Sequence, residues 1–516
     1  MFDPRVLDSA KAAFGAPGAF ITLGAVVHNG ECHAEPVIRI PLAMMNRHGL
    51  IAGATGTGKT KSLQLIAEQL AAQGVPVFLA DLKGDLSGVA TAGEASEKVS
   101  KRAADTGYAW HGTGFPVEFL SLTGAKGAQL RATVSSFGPL LLAKVLGLND
   151  TQSSVLSMVF KYCDDQGLLL LDLSDLKAAL QYLSDEGASE LKEYGGMSKA
   201  TVGVLLREMV ELEQQGAEKF FGEPAFDLDD LLQVERDGRG LVSVLELQDV
   251  QQRPALFSTF MLWMLASLYN ELPEVGDIDK PKLVFFFDEA HLLFSGASKA
   301  LLEQVEQVVR LIRSKGVGVY FITQSPKDIP ETVLAQLGNR VQHALRAFTP
   351  DDESNLRAAS RTFPKTAFYD VQSTLTSLGI GEAMVVSLQP NGAPTPPFVS
   401  RMIPPQSRMG SLTDAEMAQR LSTPQVKRYA QAVDRESARE MLAARHTEES
   451  AAQAAEADSA PATRRKGARA EAAGGLLSQI LGSTVGKSVL RTAAVAVTGT
   501  LVRGMLGALV GAKRRR

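Results

Sequence analysis

The chain has 516 residues, 45% of them hydrophobic and 21% charged, with 53 Lys+Arg against 57 Asp+Glu and a formal net charge of −4. At ~150 residues per domain this is about three units with room for a sizeable core, which excludes a mainly disordered chain and one that is basic throughout and coats nucleic acid. Two cysteines, Cys32 and Cys163, are too few to staple such a chain, and its start carries early acids without an apolar stretch, so no signal peptide and a cytoplasmic location are expected.

Short β-rich runs alternate with longer helical patterns, which predicts an α/β fold around a parallel sheet. Residues 1–46 read as a short N-terminal β segment with room for one or two strands, such as Phe20–Val27. Strands follow at Leu50–Ala52, Val75–Ala80 and Val117–Leu120. The pattern then changes. Leu140–Leu146, Val155–Tyr162, Leu176–Leu183 and Val202–Leu212 have helical spacing, broken by Gly147, Gly167 and Gly195–Gly196. Residues 129–236 therefore read as a helical insertion that divides the core into 47–128 and 237–405. Strands resume at Leu241–Leu245, Leu283–Phe287, Val317–Thr323, Val341–Phe348 and Ala383–Leu388. The uncharged stretch Ala255–Asn270 is sixteen residues long, short of the ~20 a membrane span needs, and predicts a buried helix.

Residues 406–475, rich in Ala, Glu and Arg towards their end, read as a helical or disordered linker, and 476–516 as a basic, Gly-rich apolar tail. From Pro461 to Arg516 there are eleven Lys/Arg and one acid, so this end carries +10 and the rest −14 (−4 less +10). The pairs Gly482/Gly486 and Gly507/Gly511 allow close helix approach, so one reading is a packing or oligomerisation tail. The other is peripheral contact with a membrane surface or nucleic acid through the terminal basic residues.

The strongest motif is Gly53-Ala-Thr55-Gly56-Thr57-Gly58-Lys59-Thr60, followed by Lys61, between an apolar strand and a helical pattern. It fits the phosphate-binding loop G-x-x-x-x-G-K-[ST] in the context that motif requires. The glycines let the backbone amides curl around a phosphate chain at the positive end of a helix. Lys59 would reach the β- and γ-phosphates of ATP, and Thr60 would ligate Mg²⁺. A second metal ligand is needed, and Leu283–Phe287 ends in Asp288-Glu289. Asp288 would hold Mg²⁺ and Glu289 would polarise the attacking water; alternatively the pair caps the next helix. Gln324, at the end of another strand, faces either the γ-phosphate or a plain loop. Arg310 and Arg313 lie off the apolar stripe of their helix; they serve local pairing and helix-end electrostatics, or one is an arginine finger for a neighbouring subunit. Asp81-Leu-Lys83-Gly84-Asp85 is either a coupling element at the same crevice or an ordinary turn. The seven histidines show no metal-ligand spacing.

Taken together and in order, Gly53–Thr60, Asp81–Asp85, Phe287–His291 and Arg313–Gly316 with Ile322–Pro326 resemble the HerA/FtsK superfamily of ring-forming ATPases, in particular its bacterial HerA-like branch. The likeness runs over about residues 15–405. It implies a RecA-like P-loop core, a homohexamer with ATP sites between subunits, and movement of double-stranded DNA through the pore, with a nuclease or another protein as possible partner. Under it Arg313 is the finger, Gln324 the polar sensor and Glu289 the catalytic base. The chain departs from HerA proper in having no room before the P-loop for that protein's β-barrel, and it shows no winged helix like that of FtsK. A small-molecule kinase is disfavoured by Asp288-Glu289, and an ABC-type ATPase by the lack of a signature segment before that strand. The remaining alternative is an ATP-gated scaffold that recruits a partner enzyme or a membrane.

Overall fold

A computed structural model describes residues 3–251, 253–294 and 299–459. Residues 1–447 form one compact unit, and the expected tail 476–516 lies outside the described residues. Twelve strands make a single sheet: β1 (Phe20–His28), β2 (Glu31–Pro41), β3 (Gly49–Ala52), β4 (Val77–Asp81), β5 (Val117–Ser121), β6 (Ala128–Gln129), β7 (Val242–Glu246), β8 (Leu283–Phe287), β9 (Val317–Thr323), β10 (Asn339–His343), β11 (Glu382–Val386) and β12 (Phe398–Met402). Their order is β2-β1-β12-β11-β10-β3-β9-β8-β4-β7-β5-β6. From β10 to β6 every neighbouring pair is parallel, whereas β11, β12, β1 and β2 add on antiparallel.

The central strands are apolar along their whole length because both faces are covered. On β8 the side chains of Leu283, Phe285 and Phe287 join one core and those of Val284 and Phe286 the other. The second core holds the helix Lys59–Ala72 through Leu63, Ile66 and Leu70. The first is shared with the insertion, whose helices are Val134–Val145, Asp150–Asp165, Leu173–Ser184 and Lys199–Gln214. The helix Pro254–Glu271 packs between them, with Phe260 and Trp263 each 5.7 Å from Phe220 of the insertion. An element covered on every side has no polar face, which explains its uncharged sequence. Among the described residues no helix is long and apolar enough to cross a membrane.

Four expectations change. The residues before the P-loop hold a helix, Arg5–Phe14, and two long strands that extend the main sheet rather than standing apart from it. β2 was allowed for without being placed, and β12 was not legible in the pattern. The strand expected to run to Phe348 ends at His343, because the Ala344 carbonyl turns to accept the Ala54 amide (2.8 Å). Residues 406–447 are no linker. Gln406 and Ser407 donate their backbone N–H groups to the buried carboxylate of Glu68 at 2.6 and 3.0 Å. Tyr429 donates to Asp230 (2.8 Å) and accepts from the Asp227 amide (3.0 Å), so this strap ties the P-loop helix to the insertion.

Candidate nucleotide site

The loop Gly53–Gly58 leaves the C-terminal end of β3, in the middle of the twelve-stranded sheet, and opens the helix Lys59–Ala72. Glycine is required at its two ends. A Cβ on Gly53 would lie 2.5 Å from His343 Cβ, and Gly58 has φ +117°, where side chains are strained. The Gly53 amide donates to the Thr323 carbonyl (3.3 Å) and the Gly381 amide to the Thr57 carbonyl (3.0 Å), so neighbouring strand ends brace the loop. Thr57 is buried and its hydroxyl donates to the Ala54 carbonyl (2.7 Å), which makes it a staple within the loop. Thr55 and Gly56 are exposed, and Thr60 and Lys61 are half-buried at the helix start. The Lys59 ammonium donates to the carbonyls of Gly53 (2.7 Å) and Ala54 (3.1 Å), across the mouth of the cradle. Burial lowers its pKa, while the Glu289 and Asp288 charges oppose that shift.

His343 supports the cradle from behind. Its Nδ1 faces the Glu382 carbonyl (2.8 Å), which can only accept, so Nδ1 carries the proton and Nε2 accepts from the Ser62 hydroxyl (2.8 Å). Burial holds the ring neutral, with its pKa down at about 4.

β8 lies two strands from β3, with β9 between them, so all three C-terminal ends face one crevice. Asp288 is 3% exposed and its Oδ2 has no hydrogen-bond partner. Burial pushes its carboxyl up to about 7, against the opposing charge of Lys83. Glu289 has φ +50°, a backbone state a glutamate seldom adopts, and is pinned there as the Ala290 amide donates to the Ile322 carbonyl (2.8 Å). One Glu289 oxygen is paired with the Lys83 ammonium, and His291 Nδ1 stands 3.3 Å from the other. Buried and partnerless on one oxygen, Asp288 suits a hydrated divalent cation, and Lys59 with the glycine cradle suits a polyphosphate. The residues therefore fit Mg·ATP.

Gln324 is exposed and lines a cavity of about 650 Å³ together with Ala54, Thr55, His291, Arg346 and Phe348. The family model for the C-terminal region of HerA-like helicases matches residues 27–515. The chain belongs to that family. Curated relatives include the DNA double-strand break repair helicase HerA of Saccharolobus solfataricus, 26% identical over 30% of this chain and 30% of the relative. The protein of that name from Sulfolobus acidocaldarius is 21% identical over 68% of this chain and 64% of the relative. This HerA-like chain thus matches less than a third of the length of the first and under two thirds of the second. Among solved structures, the bacterial conjugative coupling protein TrwB is 15% identical and covers 78% of this chain and 98% of its own, with a TM-score of 0.47.

Arg313 is not brought to the crevice. It lies just before β9, whose far end carries Gln324, so about seven residues of strand (~23 Å) separate it from its own P-loop. Its charged neighbours are Arg47 and Asp277. Lys83, from the segment Asp81–Asp85 read either as a coupling element or as a turn, and Arg346, which the sequence did not single out, also reach the site. Lys83 belongs to the turn after β4, which Asp81 organises by accepting from the amides of Gly84 (2.7 Å) and Leu86 (2.8 Å). Arg346 lines the cavity beside the P-loop; its signal in the sequence was its place just past the end of a strand parallel to β3.

Proposed function

We propose that this HerA-like chain is an ATP-hydrolysing motor that works as a ring, in the cytoplasm, to move or remodel double-stranded DNA. The observation that carries the reading is the buried pair Asp288-Glu289, one carboxyl with an oxygen left unpartnered and the other on a strained backbone, facing the cradle of Lys59. In this reading Gly53, Thr55, Gly56, Thr57, Gly58 and Lys61 line the phosphate path, and Lys59 holds the β- and γ-phosphates. Thr60 and Asp288 hold Mg²⁺, which neutralises charge on the phosphates when bound. Glu289 takes the proton of the attacking water, and Gln324 orients that water or the γ-phosphate. Arg313, too far from its own site, serves the neighbouring subunit, which is why a homohexamer is part of the proposal. The support for DNA is the family and the DNA helicases among its relatives; a nuclease or other protein partner, and membrane contact through the basic tail, rest on the sequence alone.

The test is ATP turnover by the full chain with and without double-stranded DNA, across salt concentrations. A DNA motor is stimulated, and the stimulation fades as salt weakens binding. Lys59→Ala should abolish nucleotide binding, whereas Glu289→Gln should keep binding and stop turnover. A rate indifferent to DNA at every salt concentration would remove DNA from the proposal and favour the ATP-gated scaffold.

A further inference from the structure

Lys83 has a second place to go. Beside the turn that carries it lies a polar cavity of about 220 Å³, lined by Lys83, Asp85, Lys126, Glu246, Gln248 and Asp414 among others. Glu246, at the end of β7, is 3% exposed, and its Oε1 has no hydrogen-bond partner. Oδ1 of Asp85 is also buried without one. Two carboxylates thus face a cavity with anionic capacity unused. Lys126 is already engaged, donating to Gln248 Oε1 at 2.8 Å.

The backbone of Lys83 is held by hydrogen bonds, whereas its side chain is half exposed and paired with Glu289. Gln248 Nε2 donates to the Lys83 carbonyl (2.8 Å), and Asp81 holds the next three amides, those of Gly84, Asp85 and Leu86. The Lys83 side chain is 45% exposed, whereas its partner Glu289 is 7% exposed at the side chain. A four-carbon stem on a fixed backbone can change rotamer without moving the loop. Leaving a buried carboxylate is costly for a lysine unless another carboxylate receives it, and Glu246 with Asp85 provides that seat.

We propose that Lys83 is a two-position latch on Glu289. Paired with Glu289, its ammonium occupies the carboxylate and keeps it from accepting a proton from water. Seated in the Glu246–Asp85 cavity, it leaves Glu289 free to act. Lys83 is then a positioning residue, and the cavity is the release half of the device. The inference rests on the reading of Glu289 as the base.

The experiment compares steady-state kcat and KM for ATP, and the affinity of a fluorescent ATP analogue, in the full chain and in Lys83→Met, Glu246→Gln, their double variant and Glu289→Gln. Lys83→Gln serves as a second latch variant. The latch predicts that Lys83→Met and Lys83→Gln raise kcat at least threefold with KM and affinity within twofold. Glu246→Gln alone lowers kcat at least threefold, and has no effect once Lys83 is replaced. A fall in kcat in both Lys83 variants, or an equal Glu246→Gln effect with and without Lys83, overturns the latch. Normal turnover by Glu289→Gln instead overturns the base assignment, so the two failures are distinguishable.

Discussion

Asp288→Asn should separate stability from activity. Burial moves the Asp288 carboxyl from its ordinary value of 3.8 to about 7. At ~1.4 kcal/mol per pH unit, that displacement is about 4 kcal/mol against the ionised form. The residue is 3% exposed, so solvent screening removes little of it. A buried amide with one polar end left unpartnered costs about 1–3 kcal/mol. The nucleotide-free variant should therefore be about 1–3 kcal/mol more stable than wild type at pH 8. A carboxyl whose folded pKa is raised favours the folded state fully below its unfolded value, near 4, and loses that contribution as pH rises through 7. The advantage of the variant should thus be about 2–3 kcal/mol smaller at pH 5 than at pH 8. Urea unfolding at the two pH values measures this, and ATP turnover at pH 8 should fall at least 100-fold in the same variant. A variant less stable than wild type at pH 8, or a difference independent of pH, would refute the claim that Asp288 sits buried with an oxygen unpartnered.

Gly53→Ala should weaken binding of a fluorescent ATP analogue at least tenfold and cost about 1–3 kcal/mol in urea unfolding, because its Cβ would press on His343; unchanged affinity would mean the cradle is not built as described. Tyr429→Phe should cost about 1–3 kcal/mol by unpairing the Asp227 amide and removing one of the bonds to Asp230, which keeps Arg428 and Gln233, and a neutral result would show that ring burial alone holds the strap. Mixing Arg313→Ala subunits with Glu289→Gln subunits should restore part of the ATP turnover that each lacks alone; no recovery in confirmed mixed rings would rule out action across the interface.

What could be read without coordinates was whatever neighbouring residues decide among themselves. The P-loop announces itself because one short run supplies the strand, the glycines for the turn, the lysine and the helix start. β8 is legible because a strand covered on both faces must be apolar throughout, and Asp288-Glu289 therefore stand out at its end. The uncharged stretch Ala255–Asn270 was recognisable as a buried helix for the same reason. The matching segments also point to the family, and the family model covers residues 27–515.

The rest depended on partners far away in the chain. β2 and β12 take their strand character from the neighbours they pair with, and β2 has exposed, polar positions that mimic a loop. Ala344 and Leu345 stay buried without staying in the sheet, since Ala344 spends its carbonyl on the P-loop, and Phe348 is exposed. The polar strap 406–447 looked solvated because nothing in it reveals that Glu68 and Asp230 wait to receive its hydrogen bonds. Lys83 and Glu289 are 206 positions apart, so their pairing exists only once β4 and β8 lie side by side. A motif records which groups a reaction needs, but an ion pair or a buried hydrogen bond is a property of distance, and folding alone sets those distances.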